Sequence, residues 1–246
     1  MNNSIKVISP FYNPGEFIDN CVGSLLSQKY DNYQVIFIND ASTDGSEKKI
    51  PSNDIINLVN NTERKTALEN IHNAIMNMCD PEDIIVLVDG DDWLPNKKVI
   101  SYINDFYNQN DCWVMYGNSI WTNGVKGCAF EYSQEEFLNL RKSQFNVSHI
   151  RTFRAGLYHK IAEQDPIFSC LKDITGTFYK MTYDVAIMFP IMEMAGYNKV
   201  KFNDTNLYIY NRSNPISDDR VNQALQTAIH VEISNKPVFK QISDYL

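Results

Sequence analysis

Apolar residues fall in short blocks whose spacing alternates between two periods. Ile5 to Ile8 is a β-branched run ended by Ser9-Pro10, and Asn13-Pro14-Gly15 behind it carries turn chemistry. Phe17, Ile18, Cys21, Val22, Leu25 and Leu26 then recur at helical spacing, which predicts an amphipathic helix ending near Gln28. Tyr33 to Ile38 predicts a second strand, cut off by Asn39-Asp40, and Ile55 to Val59 a third. Leu68, Ile71, Ile75 and Met78 mark the helix that follows. Ile84 to Val88 is apolar at every position, the pattern of a strand covered on both faces, and it runs into Asp89-Gly90-Asp91-Asp92. Strands alternating with helices imply βαβ units and a parallel sheet.

After about residue 112 the rhythm changes. Trp113 to Tyr116 and Ser119 to Thr122 read as strands, Gln134 to Arg141 as a helix, and Phe145 to Phe168 as a stretch with little periodicity. Asp184 to Ala195 is helical with Pro190 inside it, Leu207 to Tyr210 is a last short strand, and Asp219 to Ser234 is a polar surface helix. His72 and His159 read as helix-surface residues. No Gly/Ser/Pro linker divides the chain, so the expectation is one domain over residues 1–246. The front half, 1–110, reads as nucleotide-binding and the back half, 111–246, as irregular.

Composition narrows the class. The 246 residues are 43% hydrophobic with 10 Gly and 9 Pro, enough for one large core, and disorder or repeats are excluded. Acidic residues exceed basic ones by 30 to 22, a net charge of −8 that argues against a protein coating nucleic acid. No apolar run approaches the roughly 20 residues of a bilayer span. Met1 to Lys6 lacks a signal-peptide core, so the expectation is a soluble, cytoplasmic chain. Five scattered cysteines without a Cys-x-x-Cys pair read as small buried residues, not as a zinc site or a disulfide framework.

The chemistry sits where strands end. In an open parallel sheet ligands bind at the carboxyl ends of the strands, and three of these ends are unusually polar: Ser9 to Asn13, Asn39 to Asp44, and Asp89 to Asp92. The sheet brings them to one edge. Clustered carboxylates there repel one another unless a cation offsets the repulsion, and hard oxygen ligands suit Mn²⁺ or Mg²⁺ bridging to a diphosphate.

These segments carry a resemblance. Ile8-Ser9-Pro10-Phe11-Tyr12-Asn13, Ser24-Leu25-Leu26-Ser27-Gln28 and Ile38-Asn39-Asp40-Ala41-Ser42-Thr43-Asp44-Gly45 resemble the start of a family-2 glycosyltransferase with the GT-A fold. Leu87 to Pro95 resembles that family's Asp-x-Asp segment, and Ala67-Leu68-Glu69-Asn70 the stretch between them. Four motifs in order make the likeness specific over residues 5–95, and it continues more thinly over 149–215. The resemblance implies a Rossmann-like, mostly parallel sheet with helices on both faces and an inverting, metal-dependent transfer from a UDP-sugar. It implies nucleotide-sugar contacts from Pro10, Tyr12, Asn13, Asp40, Arg64, Lys65, Asn70, Asp89 and Gly90. Tyr12 would stack on the base, Asp40 would accept from a uracil N–H, and Asp89 with Asp91 would meet ribose and metal. The family's usual Gly is missing near Arg64 to Asn70 and the Arg is displaced, which leaves the diphosphate contact open between Arg64 and Lys65.

Thr182-Tyr183-Asp184 resembles the family's base position, where a carboxylate takes the acceptor's proton. Asp184 is read as that base, with an N-cap as the alternative. His149, Arg151, Arg154 and Arg212 are candidates for the acceptor or phosphate side, and Asp92 reads as a helix cap. The acceptor class (saccharide, lipid-linked or protein) and the oligomeric state stay open. A nucleotidyltransferase is disfavoured because the loop after the first strand is not Gly-rich and basic. A non-catalytic nucleotide-sugar binder or assembly protein remains as the rival reading.

Overall fold

A computed structural model describes residues 1–214 and 222–246. Among the described residues nine strands run in chain order as β1 (Ile5–Phe11), β2 (Tyr33–Asn39), β3 (Ile56–Asn60), β4 (Ile84–Leu87), β5 (Val114–Gly117), β6 (Ile120–Trp121), β7 (Ser148–Arg154), β8 (Val200–Asn203) and β9 (Ile209–Tyr210). The helices are α1 (Phe17–Leu26), α2 (Ala67–Met78), α3 (Val99–Gln109), α4 (Gln134–Leu138), α5 (Ala155–His159), α6 (Ile161–Gln164), α7 (Tyr183–Ala195) and α8 (Gln223–Ser234). Seven strands form one sheet in the order β3-β2-β1-β4-β7-β5-β8, while β6 and β9 pair separately. Within the large sheet only β7 is antiparallel to its neighbours.

Period-two alternation explains why helices cover both faces. Ile84 and Val86 of β4 point with Ile5, Val7, Val35 and Phe37 into a core closed by Ile18 and Leu25 of α1 and Ile100 and Ile103 of α3. Ile85 and Leu87 point the other way, with Ile8, Ile36 and Ile38, against Leu68, Ile71 and Ile75 of α2 and the buried length of α7. This is the mostly parallel, doubly covered sheet that the alternating pattern implies.

The second half is more regular than its apolar pattern. The stretch 145–168, expected to be irregular, contains β7, α5 and α6. β7 escapes an apolar count because His149, Arg151 and Thr152 occupy buried positions in it. α3 and β8 also go unmarked by the pattern. α8 is not a purely polar surface helix, since Ile229 and Ile233 are buried against the α7 core; the expected start at Asp219 lies outside the described residues. His72 is not a plain surface residue either. Its ring packs on Phe168 and Phe178, with Nδ1 3.1 Å from the Tyr158 hydroxyl. Burial, and then Lys172, push it down to about 4. No helix among the described residues is long and apolar enough to cross a membrane.

Candidate active site

The parallel register puts the ends of β1, β2 and β4 side by side, and a cavity of about 340 Å³ opens there. Because β7 runs antiparallel, with Arg151 opposite Leu87, it is the first half of β7 that reaches the same edge. The N-terminus of α7 supplies the facing wall through Thr182, Tyr183 and Asp184.

At the β2 side, Asp40 is the hub. Its buried carboxylate accepts from Asn61 Nδ2 (3.1 Å), Lys65 N (2.8 Å), Thr66 N (3.2 Å) and Arg64 Nε (2.9 Å). Burial alone would raise its pKa, but the Lys65 N–H, the Asn70 and Asn61 amides and the Thr66 N–H outweigh it and hold it below the usual carboxylate value. Arg64 lays its guanidinium 3.4 Å from the Tyr12 ring centroid. Thus Arg64, not Lys65, is the basic side chain on the cavity wall, and it lies on Tyr12 and Asp40. The Lys65 ammonium pairs with Glu69 at 3.7 Å, and Lys65 reaches Asp40 only through its backbone. Asn13 is also off the wall. It staples the β1 and β2 loops, accepting from Thr43 N at 2.7 Å and donating its N–H to Ser42 Oγ at 3.1 Å. Pro10, Tyr12, Asp40 and Asn70 do line the cavity.

At the β4 end the Asp-x-Asp segment packs directly on β1, with Gly90 N donating to Pro10 O at 3.1 Å. A Cβ on Gly90 would lie 2.4 Å from Phe11 Cβ, which explains the glycine. Asp89 Oδ1 accepts from the Tyr183 hydroxyl at 2.7 Å, and Asp91 Oδ2 from Asn214 Nδ2 at 2.6 Å. Asp92 is no helix cap. It is buried, accepting from the Tyr208 hydroxyl (2.7 Å) and Asn211 N (2.6 Å), partners more than a hundred residues away. Burial and then Asp91 push Asp89 up to about 6, against the Tyr183 hydroxyl and Arg151; burial, Asp91 and Asp89 raise Asp92 well above its usual value. Oxygen and nitrogen atoms of Asp89, Asp92 and His149 lie within 4.8 Å of one another. Such crowding of carboxylates in a buried place is what a divalent cation relieves.

On the third wall, Arg151 donates to Asp184 Oδ2 at 3.0 Å, while Asp184 Oδ1 accepts from Val185 N at 2.9 Å. The cap position of α7 belongs to Thr182, so Asp184 lies inside the first turn and is not the N-cap. Its side chain is 26% exposed against 6% for Arg151, leaving the carboxylate open to the cavity. Arg151 Nε and Thr182 Oγ1, though buried, have no hydrogen-bond partner. His149 is stacked 4.3 Å from Tyr208 and 5.4 Å from Tyr210; burial and then Arg151 keep it neutral. Arg154 does not belong here. Three residues along a strand is about 10 Å, and Arg154 sits opposite Ile84 at the far edge, bonded to Glu82 O and Asn3 Oδ1. Arg212 lies over Trp121 and Tyr210, of which Tyr210 is on the cavity wall. Three contacts come from the structure alone: the Tyr183 hydroxyl on Asp89, the Tyr208 hydroxyl on Asp92 and the Asn61 amide on Asp40. Asn61 follows the end of β3, so the polar-strand-end criterion reaches it; nothing local marks the two tyrosine hydroxyls.

The profile of "Glycosyl transferase family 2" matches residues 6–164. Glycosyltransferase GlyG of Streptococcus pneumoniae serotype 4 is 26% identical over 230 residues, spanning 86% of this chain and 72% of that protein. An uncharacterized glycosyltransferase of Haemophilus influenzae is 26% identical over 188 residues, spanning 69% and 72%. Among solved structures, S. aureus TarS 1–349 in complex with UDP-GlcNAc superposes with a TM-score of 0.62 at 16% identity, covering 96% of this chain and 68% of that one. The mannosyltransferase PcManGT of Pyrobaculum calidifontis, in complex with GDP-Man and Mn²⁺, gives 0.62 at 15% identity, covering 97% and 66%. These two likenesses carry the GT-A architecture. The matched profile spans more than half of the chain, through β1, β2, the Asp-x-Asp segment and β7: the protein is a member of glycosyl transferase family 2.

Proposed function

We propose that this protein transfers a sugar from a UDP-sugar to an acceptor hydroxyl with inversion, and that Asp184 is the general base. The observation that carries the reading is the facing of two carboxylate groups across one cavity: the crowded Asp89–Asp91 pair at the end of β4, and the partly exposed Asp184 on α7. TarS and PcManGT, bound to UDP-GlcNAc and to GDP-Man with Mn²⁺, support a nucleotide-sugar donor and a divalent metal.

In this mechanism the nucleobase stacks on Tyr12 and donates its imide N–H to Asp40. Asp89 and Asp91 would hold Mn²⁺ or Mg²⁺, which fits the raised pKa of the Asp89 carboxyl; the ion, when bound, stabilises charge on the departing diphosphate. Arg151 orients Asp184 and offers its unpartnered Nε–H to a phosphate or acceptor oxygen. Asp184 accepts the acceptor's proton as its oxygen attacks the anomeric carbon from the side opposite the leaving group.

The direct test is thermal stabilisation by UDP, UDP-sugars, CDP and GDP in Mn²⁺, since a ligand that binds only the native state raises its stability. UDP and at least one UDP-sugar raise Tm, and CDP, which lacks the imide N–H, raises it much less. Equal stabilisation by CDP removes uracil recognition from the reading.

A further inference from the structure

We propose that Arg64 is an internal stand-in for the nucleobase, occupying the base's place until the donor arrives. The inference rests on the reading that the base stacks on Tyr12 and donates to Asp40. A uracil ring there has two properties: it is a flat π-system lying on Tyr12, and it presents an N–H to the Asp40 carboxylate. The Arg64 guanidinium already has both. It is planar, lies 3.4 Å from the Tyr12 ring centroid, and donates Nε–H to Asp40 Oδ2 at 2.9 Å.

Asp40 has no room for a further donor. Its two oxygens accept from Asn61, Lys65 N, Thr66 N and Arg64. Three of these partners are fixed by backbone or by the amide that also holds Asn70 Oδ1 at 2.7 Å. Only Arg64 is free to leave, because its side chain is 51% exposed while that of Asp40 is 4% exposed. A second observation points to a ligand at this place: Thr66 Oγ1, on the same cavity wall, is buried without a hydrogen-bond partner. Donor binding therefore swings Arg64 off Tyr12 and out of Asp40's reach. The site opens only to a molecule that replaces both contacts, and apparent affinity is reduced by the fraction of protein in which Arg64 has vacated.

UDP and inorganic pyrophosphate are titrated in Mn²⁺ against wild type, Arg64→Ala and Arg64→Ala/Tyr12→Ala. An ion pair open to solvent on its Arg64 side and a cation–π contact set the expected effect: Arg64→Ala binds UDP about three- to tenfold more tightly and pyrophosphate as wild type does. The double variant then loses about tenfold relative to Arg64→Ala, because the base has lost its platform. Weaker or unchanged UDP binding by Arg64→Ala overturns the stand-in, and weaker pyrophosphate binding overturns it in favour of a phosphate contact. If the double variant binds UDP as tightly as Arg64→Ala, the base does not lie on Tyr12, and it is the underlying reading that fails.

Discussion

Asp184 has two neighbours that set its behaviour, the Arg151 guanidinium and the N-terminal turn of α7. The first holds one carboxylate oxygen through Arg151 Nη2 at 3.0 Å, and the second holds the other through Val185 N at 2.9 Å. Asp184→Asn keeps the shape and one acceptor oxygen but not the basicity. Turnover, followed as UDP-sugar hydrolysis where no acceptor is in hand, should fall about 10²–10⁴-fold. Affinity for UDP should stay near wild type, since the donor contacts proposed lie on the strand ends, while Tm falls because Asn leaves the buried Arg151 guanidinium without its counter-charge. A fully active Asn variant removes Asp184 as the base. At this scale the sequence is readable where polarity interrupts an apolar strand, which is how Asp40 and Asp89 stand out, while Asp184, in the first turn of α7, is reached through the family resemblance. It is silent where a residue's role depends on a distant partner. Asp92 looks like a cap until Tyr208 and Asn211 close on it, and Arg151 and Arg154 look equivalent until strand register sends them to opposite edges.

Among the elements, the contact between the ends of β1 and β4 is the one with least slack. Gly90→Ala would press a methyl to 2.4 Å from Phe11 Cβ and 3.2 Å from Pro10 O, so the β1 loop that carries Tyr12 has to move. Overpacking of this kind costs about 1–3 kcal/mol, and the variant should lose Tm and about tenfold or more in UDP affinity. Gly23→Ala in α1 has nothing within 4 Å of the new methyl and serves as the control, with stability unchanged or raised by up to about 1 kcal/mol. A Gly90→Ala protein that binds UDP normally shows that the β1–β4 contact does not set the site. A second element-level test concerns α2 and the rings of Phe168 and Phe178. His72 falls from its ordinary 6.5 to about 4 because burial, and then Lys172, disfavour its charged form. The unfolded chain therefore takes up a proton that the folded chain refuses, so this residue's contribution is intact above about 6.5 and is lost as pH falls towards 4. Allowing for its partial exposure, the loss is about 1–2 kcal/mol. Urea melts of wild type and His72→Gln at both ends of that window should differ by this amount in their pH dependence; parallel curves place the acid sensitivity elsewhere. The same elements show what pattern reading reaches. β1, β2 and β4 are announced by apolar runs because both faces of each are covered, whereas β7 carries His149, Arg151 and Thr152 at buried positions and so hides its strand character.

For the molecule as a whole the governing fact is charge. The chain carries −8, and among the described residues the cavity gathers Asp40, Asp89, Asp91, Asp92 and Asp184 against Arg64, Arg151 and Lys180. A nucleoside diphosphate adds further negative charge to a wall where burial and neighbouring carboxylates already push Asp89 up to about 6 and Asp92 well above its usual value. Like charges brought together at low dielectric repel by several kcal/mol, and both arginines are already engaged, Arg64 with Asp40 and Arg151 with Asp184. A divalent cation is the economical counter-charge. Calorimetric titration with UDP should therefore give at least about tenfold tighter binding in Mn²⁺ than in EDTA, and Asp91→Asn should erase most of that difference. Asp44→Asn is the matched control, because Asp44 is used up in the loop by Gly15 N and Ser46 N and should leave the Mn²⁺ effect intact. Equal affinity in Mn²⁺ and EDTA would mean that the carboxylates of β4 meet the donor without a metal. Charge balance would then require Arg151 and Lys180 to turn onto the diphosphate, which Arg151→Gln would expose as a loss of UDP affinity under both conditions.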